Sequence, residues 1–275
     1  MTHAGLVAVD PWTERRERAA ALLARYPFAG DVLRLYAAVV PVQERAFRSA
    51  RDDAPPAESP QLASYIAERV LPPVVEVTAA HGPHRLREAV RERFAAGQLA
   101  DLVARWLGGG GEDQPAIERY LARVSAAPVL EALGAAAGRA CRGPRDERRG
   151  RGAHCPVCGG LPQVAYVEPS GDDLVTAPRR LLCSRCGSAW VFPRLACAGC
   201  GETAASRLVI FSETERFPHI RVDGCGTCDR YLLTVDLRKD PDAVPIVDEL
   251  AALPLDLYAQ ERGMVKITAN MMGMG

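Results

Sequence analysis

The sequence predicts an α+β protein: an N-terminal α-helical domain, two tandem four-cysteine metal modules built from short strands, and a C-terminal tail with helix. Three observations predict it. Apolar residues recur at helical spacing through the first half of the chain. Eight of the nine cysteines fall between Cys155 and Cys228 in four Cys-x-x-Cys pairs. Short β-type runs lie beside those pairs.

The cysteine pairs are Cys155/Cys158 (CPVC), Cys183/Cys186 (CSRC), Cys197/Cys200 (CAGC) and Cys225/Cys228 (CGTC). Every cysteine of the first two pairs recurs 42 positions later, which marks a duplicated unit. A Cys-x-x-Cys turn presents two thiolates on one side of a tight loop, and two such turns complete a tetrahedron of sulfur. The turn needs a residue that tolerates positive φ after its second cysteine. Gly159, Gly187 and Gly201 fill that place in three turns and Asp229 in the fourth. A unit this small lacks the core to fold unaided, and a bound ion supplies the missing cross-link. Duplication of a self-sufficient unit favours sequential pairing, with 155/158/183/186 holding one ion and 197/200/225/228 a second. Interleaved (155/158 with 197/200) and nested (183/186 with 197/200) pairings are the alternatives. All four positions of each site are filled by protein, which leaves no open position for metal-assisted hydrolysis. Structure or one-electron transfer remains, and four sulfurs suit zinc and iron alike.

The helical reading covers residues 1–138. Asp10 and Pro11 set an N-cap with proline at the first helical position, and Leu22, Leu23 and Tyr26 then share a face. Asp31 can cap a second helix carrying Leu33, Tyr36, Val40 and Phe47, which Pro41 should kink or split. Residues 52–60 read as a loop. A helical period resumes at 62–70 until Pro72 and Pro73 interrupt it, and further helices are expected near 84–95, 98–107 and 115–124. Gly108 to Gly111 reads as a flexible loop. Residues 139–152, rich in Arg and Gly, read as a solvated linker, with a basic arm as the sharper alternative. Cys141, at its start, reads as a buried thiol at a helix end. The modules occupy 153–194 and 195–240, with β-type runs at 163–167, 189–192, 208–211, 220–222 and 231–235. The tail, 241–275, should hold a helix over 241–253 and a second over 255–261 before an irregular end.

Composition bounds the function. Hydrophobic residues make up 48% of the 275 and charged residues 25%, as in soluble globular proteins. No run of apolar residues is long enough to span a membrane, and the N-terminus lacks a secretory pattern, so the cytoplasm is the expected compartment. Paired cysteines in a reducing compartment favour metal over disulfides. Net charge is zero, which argues against a dedicated nucleic-acid binder. Only two of the 34 basic residues are lysines, Lys239 and Lys266. Of the five histidines (His3, His81, His84, His154 and His219), His81 and His84 mark a helix junction and His154 adjoins Cys155 as a substitute ligand at most. No catalytic constellation stands out, and the chain reads as a non-enzyme. Trp190 and Tyr231 each follow a knuckle and are expected to pack over the metal turns.

The chain resembles the formate dehydrogenase accessory (FdhE) family. The resemblance rests on LRLYAAVVPVQERAF (33–47), CPVCGGLPQVAYV (155–167), RRLLCSRCGSAWVFPRLACAGCGE (179–202), RVDGCGTCDRYLLTVDLRKD (221–240) and the closing DELAALPLDLYAQERG with Asn270 and Gly273. It departs from the family pattern in the third knuckle, which lacks a proline after its first cysteine, and in Asp229, which stands where a glycine is expected. The resemblance implies rubredoxin-like or zinc-ribbon-like modules holding two metal ions, iron more than zinc, on Cys155, Cys158, Cys183, Cys186, Cys197, Cys200, Cys225 and Cys228. It also implies a non-catalytic accessory or chaperone role in formate dehydrogenase maturation, with that enzyme's catalytic subunit as partner. A rubredoxin-like iron electron carrier and a zinc-ribbon nucleic-acid module are the alternative functions.

Overall fold

The computed structural model describes residues 10–141, 153–169 and 178–275. His3 and most of the Arg/Gly-rich linker therefore lie outside the described residues. The helical part holds α1 (Pro11–Arg25), α2 (Gly30–Asp53), α3 (Ser59–Tyr65), α4 (Leu71–His81), α5 (His84–Ala95), α6 (Leu99–Leu107), α7 (Ala116–Leu133) and α8 (Ala137–Ala140). Asp10 is the N-cap residue of α1 with Pro11 following, as its sequence predicts.

Three helix expectations change. Helix α2 is one unbroken helix through Pro41, with Ala29 rather than Asp31 at its N-cap and Asp31 inside the first turn. The helical period of 62–70 begins in α3 and ends in a π-helical turn, Ile66–Val70, after which Pro72 and Pro73 open α4. Proline has no N–H to donate, which costs nothing in a first turn. Helix α7 runs past its expected end at 124 and through Pro128 to Leu133. Pro128 leaves the Val124 carbonyl without its helical donor, and the side-chain Nε2 of Gln43 on α2 fills that place at 2.9 Å.

The second half forms one sheet with two helices. Its strands are β1 (Pro162–Val167), β2 (Arg179–Cys183), β3 (Ala189–Val191), β4 (Leu208–Ser212), β5 (Ile220–Cys225), β6 (Arg230–Asp236) and β7 (Val265–Lys266). The path runs β3-β2-β1-β6-β5-β4, with β7 paired to β6. By the 42-residue offset β2 corresponds to β5 and β3 to β6, so the path reads as one three-strand pattern laid down twice. The join is parallel, Ala165 to Thr234 through Val167 to Asp236. The two cysteine units thus share a single sheet. Strand β2 was not visible as a run because its buried positions include Arg179, a charge that breaks the apolar alternation. Arg179 donates to the Ala196 carbonyl at 3.1 Å and pairs with Asp223 at 3.3 Å, while its Nε is left without a partner.

Helices α9 (Pro245–Ala251) and α10 (Leu253–Gln260) follow, matching the two expected tail helices, and β7 lies in the stretch read as irregular. Helix α9 packs between α1 on one side and β1 and β6 on the other. A continuous apolar core runs from the helices through the first cysteine cluster into the sheet.

Candidate metal centres

The four knuckle turns share one geometry. Gly159, Gly187, Gly201 and Asp229 take φ of 71°, 68°, 81° and 52°, so the left-handed position expected after each second cysteine is present four times. In the first and third turns that residue's N–H bonds the carbonyl of the leading cysteine, Gly159 to Cys155 and Gly201 to Cys197, both at 2.9 Å. Backbone N–H groups also point at sulfur, from Arg185 to Cys183 (3.4 Å), Gly199 to Cys197 (3.2 Å) and Thr227 to Cys225 (3.4 Å). Such bonds stabilise thiolate charge and orient the ligand.

The turns bring the sulfurs together in the sequential grouping. Cys155, Cys158, Cys183 and Cys186 form one cluster and Cys197, Cys200, Cys225 and Cys228 the other, with all sulfurs of a cluster within 4.8 Å of one another. In the first, Cys155 and Cys186 are 3.7 Å apart and Cys158 and Cys183 3.3 Å. In the second, Cys197 and Cys228 are 3.7 Å apart and Cys200 and Cys225 3.8 Å. A sulfur tetrahedron around zinc at ~2.3 Å has edges of about 3.8 Å. Each cluster is therefore the right size and chemistry to hold one ion. Interleaved and nested groupings do not occur.

The two clusters differ in depth. All four cysteines of the first are buried, whereas Cys200 and Cys228 of the second are partly exposed. The helical part covers the first: Gly138 on α8 sits so close to Val157 that a Cβ added there would collide with the Val157 carbonyl oxygen. Cys141 caps α8 and is buried as expected. His154 stands beside the first cluster but supplies no atom to it. His81 and His84 lie at the α4–α5 junction, where His84 meets Glu88 at 3.3 Å on the surface. Trp190 and Tyr231 are buried, Tyr231 completely, with its hydroxyl 2.9 Å from the Asp256 carboxylate.

Two buried charge networks tie these centres to the rest of the chain, and sequence reasoning missed both. Arg123 on α7 donates to the carbonyls of Ser184, Ala269 and Asn270 and to the Gln163 side chain. It joins the helices to the first knuckle and the tail, and burial pulls its pKa down to about 10. Gln163 in turn bonds Glu249 at 2.8 Å, and Lys266 bridges Glu249 and Asp256 at 3.0 Å each. His219, buried and 2.8 Å from Asp248, belongs to the second network with Arg18 and Asp240. Arg18 already places a cation among those carboxylates. No local pattern announces either network, because the partners lie far apart in sequence.

Comparison with known proteins places the chain. The model of the FdhE C-terminal domain matches residues 195–272. An FdhE homolog of Aquifex aeolicus is 29% identical over 203 residues, covering 73% of this chain and 68% of that protein. The crystal structure of the FdhE protein from Pseudomonas aeruginosa superposes with a TM-score of 0.65, covering 95% of this chain and 94% of that one at 22% identity, which speaks to the fold. The domain model, the homologs and the crystal structure all support the FdhE family. An FdhE homolog of Haemophilus influenzae is 34% identical over 117 residues, and that match spans only 37% of its length. The two-cluster sheet described above is thus set within an FdhE-type fold. Among the described residues no helix is long and apolar enough to cross a membrane.

Proposed function

We propose that this FdhE-family protein is an accessory factor in the maturation of formate dehydrogenase, a non-catalytic platform that binds that enzyme's catalytic subunit in the cytoplasm. The observation that carries the reading is the pair of four-cysteine clusters, each closed by four protein sulfurs, within one sheet braced against a helical domain. A closed site has no position for substrate, so its ion holds the fold or passes electrons. The eight cysteines hold two ions, and iron is the proposed metal.

The client surface combines the helical domain with the exposed sheet edges. Val191 on β3 and Ile210 on β4 present apolar side chains there, 62% and 63% exposed. The test is a pull-down with the tagged full chain, together with formate oxidation in a deletion strain. Enrichment of the catalytic subunit and loss of formate oxidation are expected. A strain with full activity and no enrichment would refute the reading. Residues 1–138 alone should fold but lose the client.

One observation favours a second reading. Cys200 and Cys228 are partly exposed, as a one-electron carrier needs. Zinc in protein purified from its own host would end that alternative.

A further inference from the structure

A cleft of about 580 Å³ opens where the helical domain, both knuckle units and the chain's last residues meet. That is the size of a small-molecule site. Its wall carries Arg119 on α7, Arg185 from between the ligands Cys183 and Cys186, and Arg230 two residues after Cys228. Among the described residues lining it there is no Asp or Glu. Arg123 and Lys266 also reach it, but their donors are engaged within the protein. Arg185 and Arg230 differ: among the described residues neither has a carboxylate partner. Arg185 lies over the Trp106 ring, 5.4 Å from its centroid, and Trp106 is itself on the wall.

A second, independent observation lies on the floor. Asn270 is completely buried, and its Oδ1 accepts the N–H groups of Met272 and Met274 at 3.0 Å each. Those two bonds fix which end of the amide is oxygen. Its Nδ2 is left with no partner, as is the neighbouring Thr268 hydroxyl. A buried donor without an acceptor is unfavourable, and on the lining of a cleft a ligand can complete its bonding. Gly275 also lies on this wall, beside Lys266.

We propose that this cleft binds a small ligand bearing several oxyanion groups, phosphates or carboxylates, held by Arg185 and Arg230 together with the Asn270 amide. Guanidinium forks match the planar geometry of such groups and bind them bidentately. Because Arg185 stands in the second knuckle turn and Arg230 at the start of β6 just after the fourth, the bound ligand touches both metal units at once. The site is independent of the client-binding role proposed above. The competing role for these arginines is to offset thiolate charge at the clusters.

Full-length metal-loaded protein titrated with inorganic pyrophosphate and, separately, with citrate decides the matter by calorimetry and Trp106 fluorescence. Saturable, salt-sensitive binding of either probe is expected, and the better one tells phosphate from carboxylate. Arg230→Gln and Asn270→Asp should each weaken it at least tenfold, while Arg85→Gln, on the exposed face of α5, should not. Asn270→Asp keeps the two acceptor bonds, exchanges the free donor for negative charge and stands away from the cysteines, so its metal content should stay at the wild-type value. No saturable binding of either probe would overturn the proposal. So would equal affinity in the Asn270→Asp variant, or hexaglutamate binding more tightly than both probes, which would make the cleft a peptide site.

Discussion

Arg18 on α1 donates from Nε and Nη2 to the two carboxylate oxygens of Asp248 on α9, at 2.8 and 2.5 Å, across 230 residues of chain. The same Nη2 reaches Asp240 at 2.7 Å. Asp248 also accepts the backbone N–H of Val244 at 2.8 Å, which fixes the start of α9. One guanidinium thus clamps the first helix of the chain to the helix that covers the centre of the sheet.

Removal of that guanidinium leaves Asp248 buried without its counter-charge. Arg18→Ala should lower stability by about 3–5 kcal/mol, read from urea unfolding of the metal-loaded protein. The double variant Arg18→Met, Asp248→Leu should recover most of the loss, because it removes both charges together.

Acid should loosen the same clamp. Burial alone would raise the Asp240 carboxyl, but the Arg18 guanidinium and His219 hold it below its ordinary 3.8. A carboxylate with a depressed folded-state pKa contributes stability above the unfolded value and loses it as pH falls through the folded one. The stability difference between wild type and Asp240→Asn should be constant from pH 7 to about 5 and shrink as pH falls below 3.8. A difference that is flat to pH 2 would contradict this. Taking the difference cancels acid release of the metals, which both proteins share.

The clusters should load separately. Cys155→Ser with Cys158→Ser should halve the metal content of the purified protein, and Cys197→Ser with Cys200→Ser should do the same. Metal analysis on anaerobically purified samples checks both. Content falling to zero in either variant would show that the shared sheet makes one site depend on the other.

The knuckle turns should be sensitive at their left-handed residue. Gly201 has φ of 81° with its N–H committed to Cys197. Gly201→Ala should cost about 1–2 kcal/mol and speed metal loss to a chelator. Asp229 already sits at φ 52°, so Asp229→Gly should slow that loss or leave it unchanged.

Local patterns carried much of this fold into view. The Asp10-Pro11 start of α1, the two tail helices and the left-handed residue after each second cysteine depend on neighbours in sequence, and each is where its residues place it. Helix α7 shows the limit: it runs past its expected end at 124 and through Pro128, where Gln43, 81 residues away, takes the orphaned Val124 carbonyl. Strand β2 was hidden by Arg179, whose burial makes sense only once Ala196 and Asp223 are brought beside it.

By itself the sequence determined the cysteine pairing pattern and the duplication, because a Cys-x-x-Cys turn and a 42-residue offset are local or periodic facts. Only the tertiary structure decided that the two units join through β1 and β6 into one sheet, and that Arg18, Arg123 and Lys266 have buried carboxylates or carbonyls waiting for them. It alone placed Arg185, Arg230 and Asn270 around one cleft. The physical reason is that charge pairing and strand joining act through space between residues far apart along the chain, and no spacing in a sequence records where such partners meet.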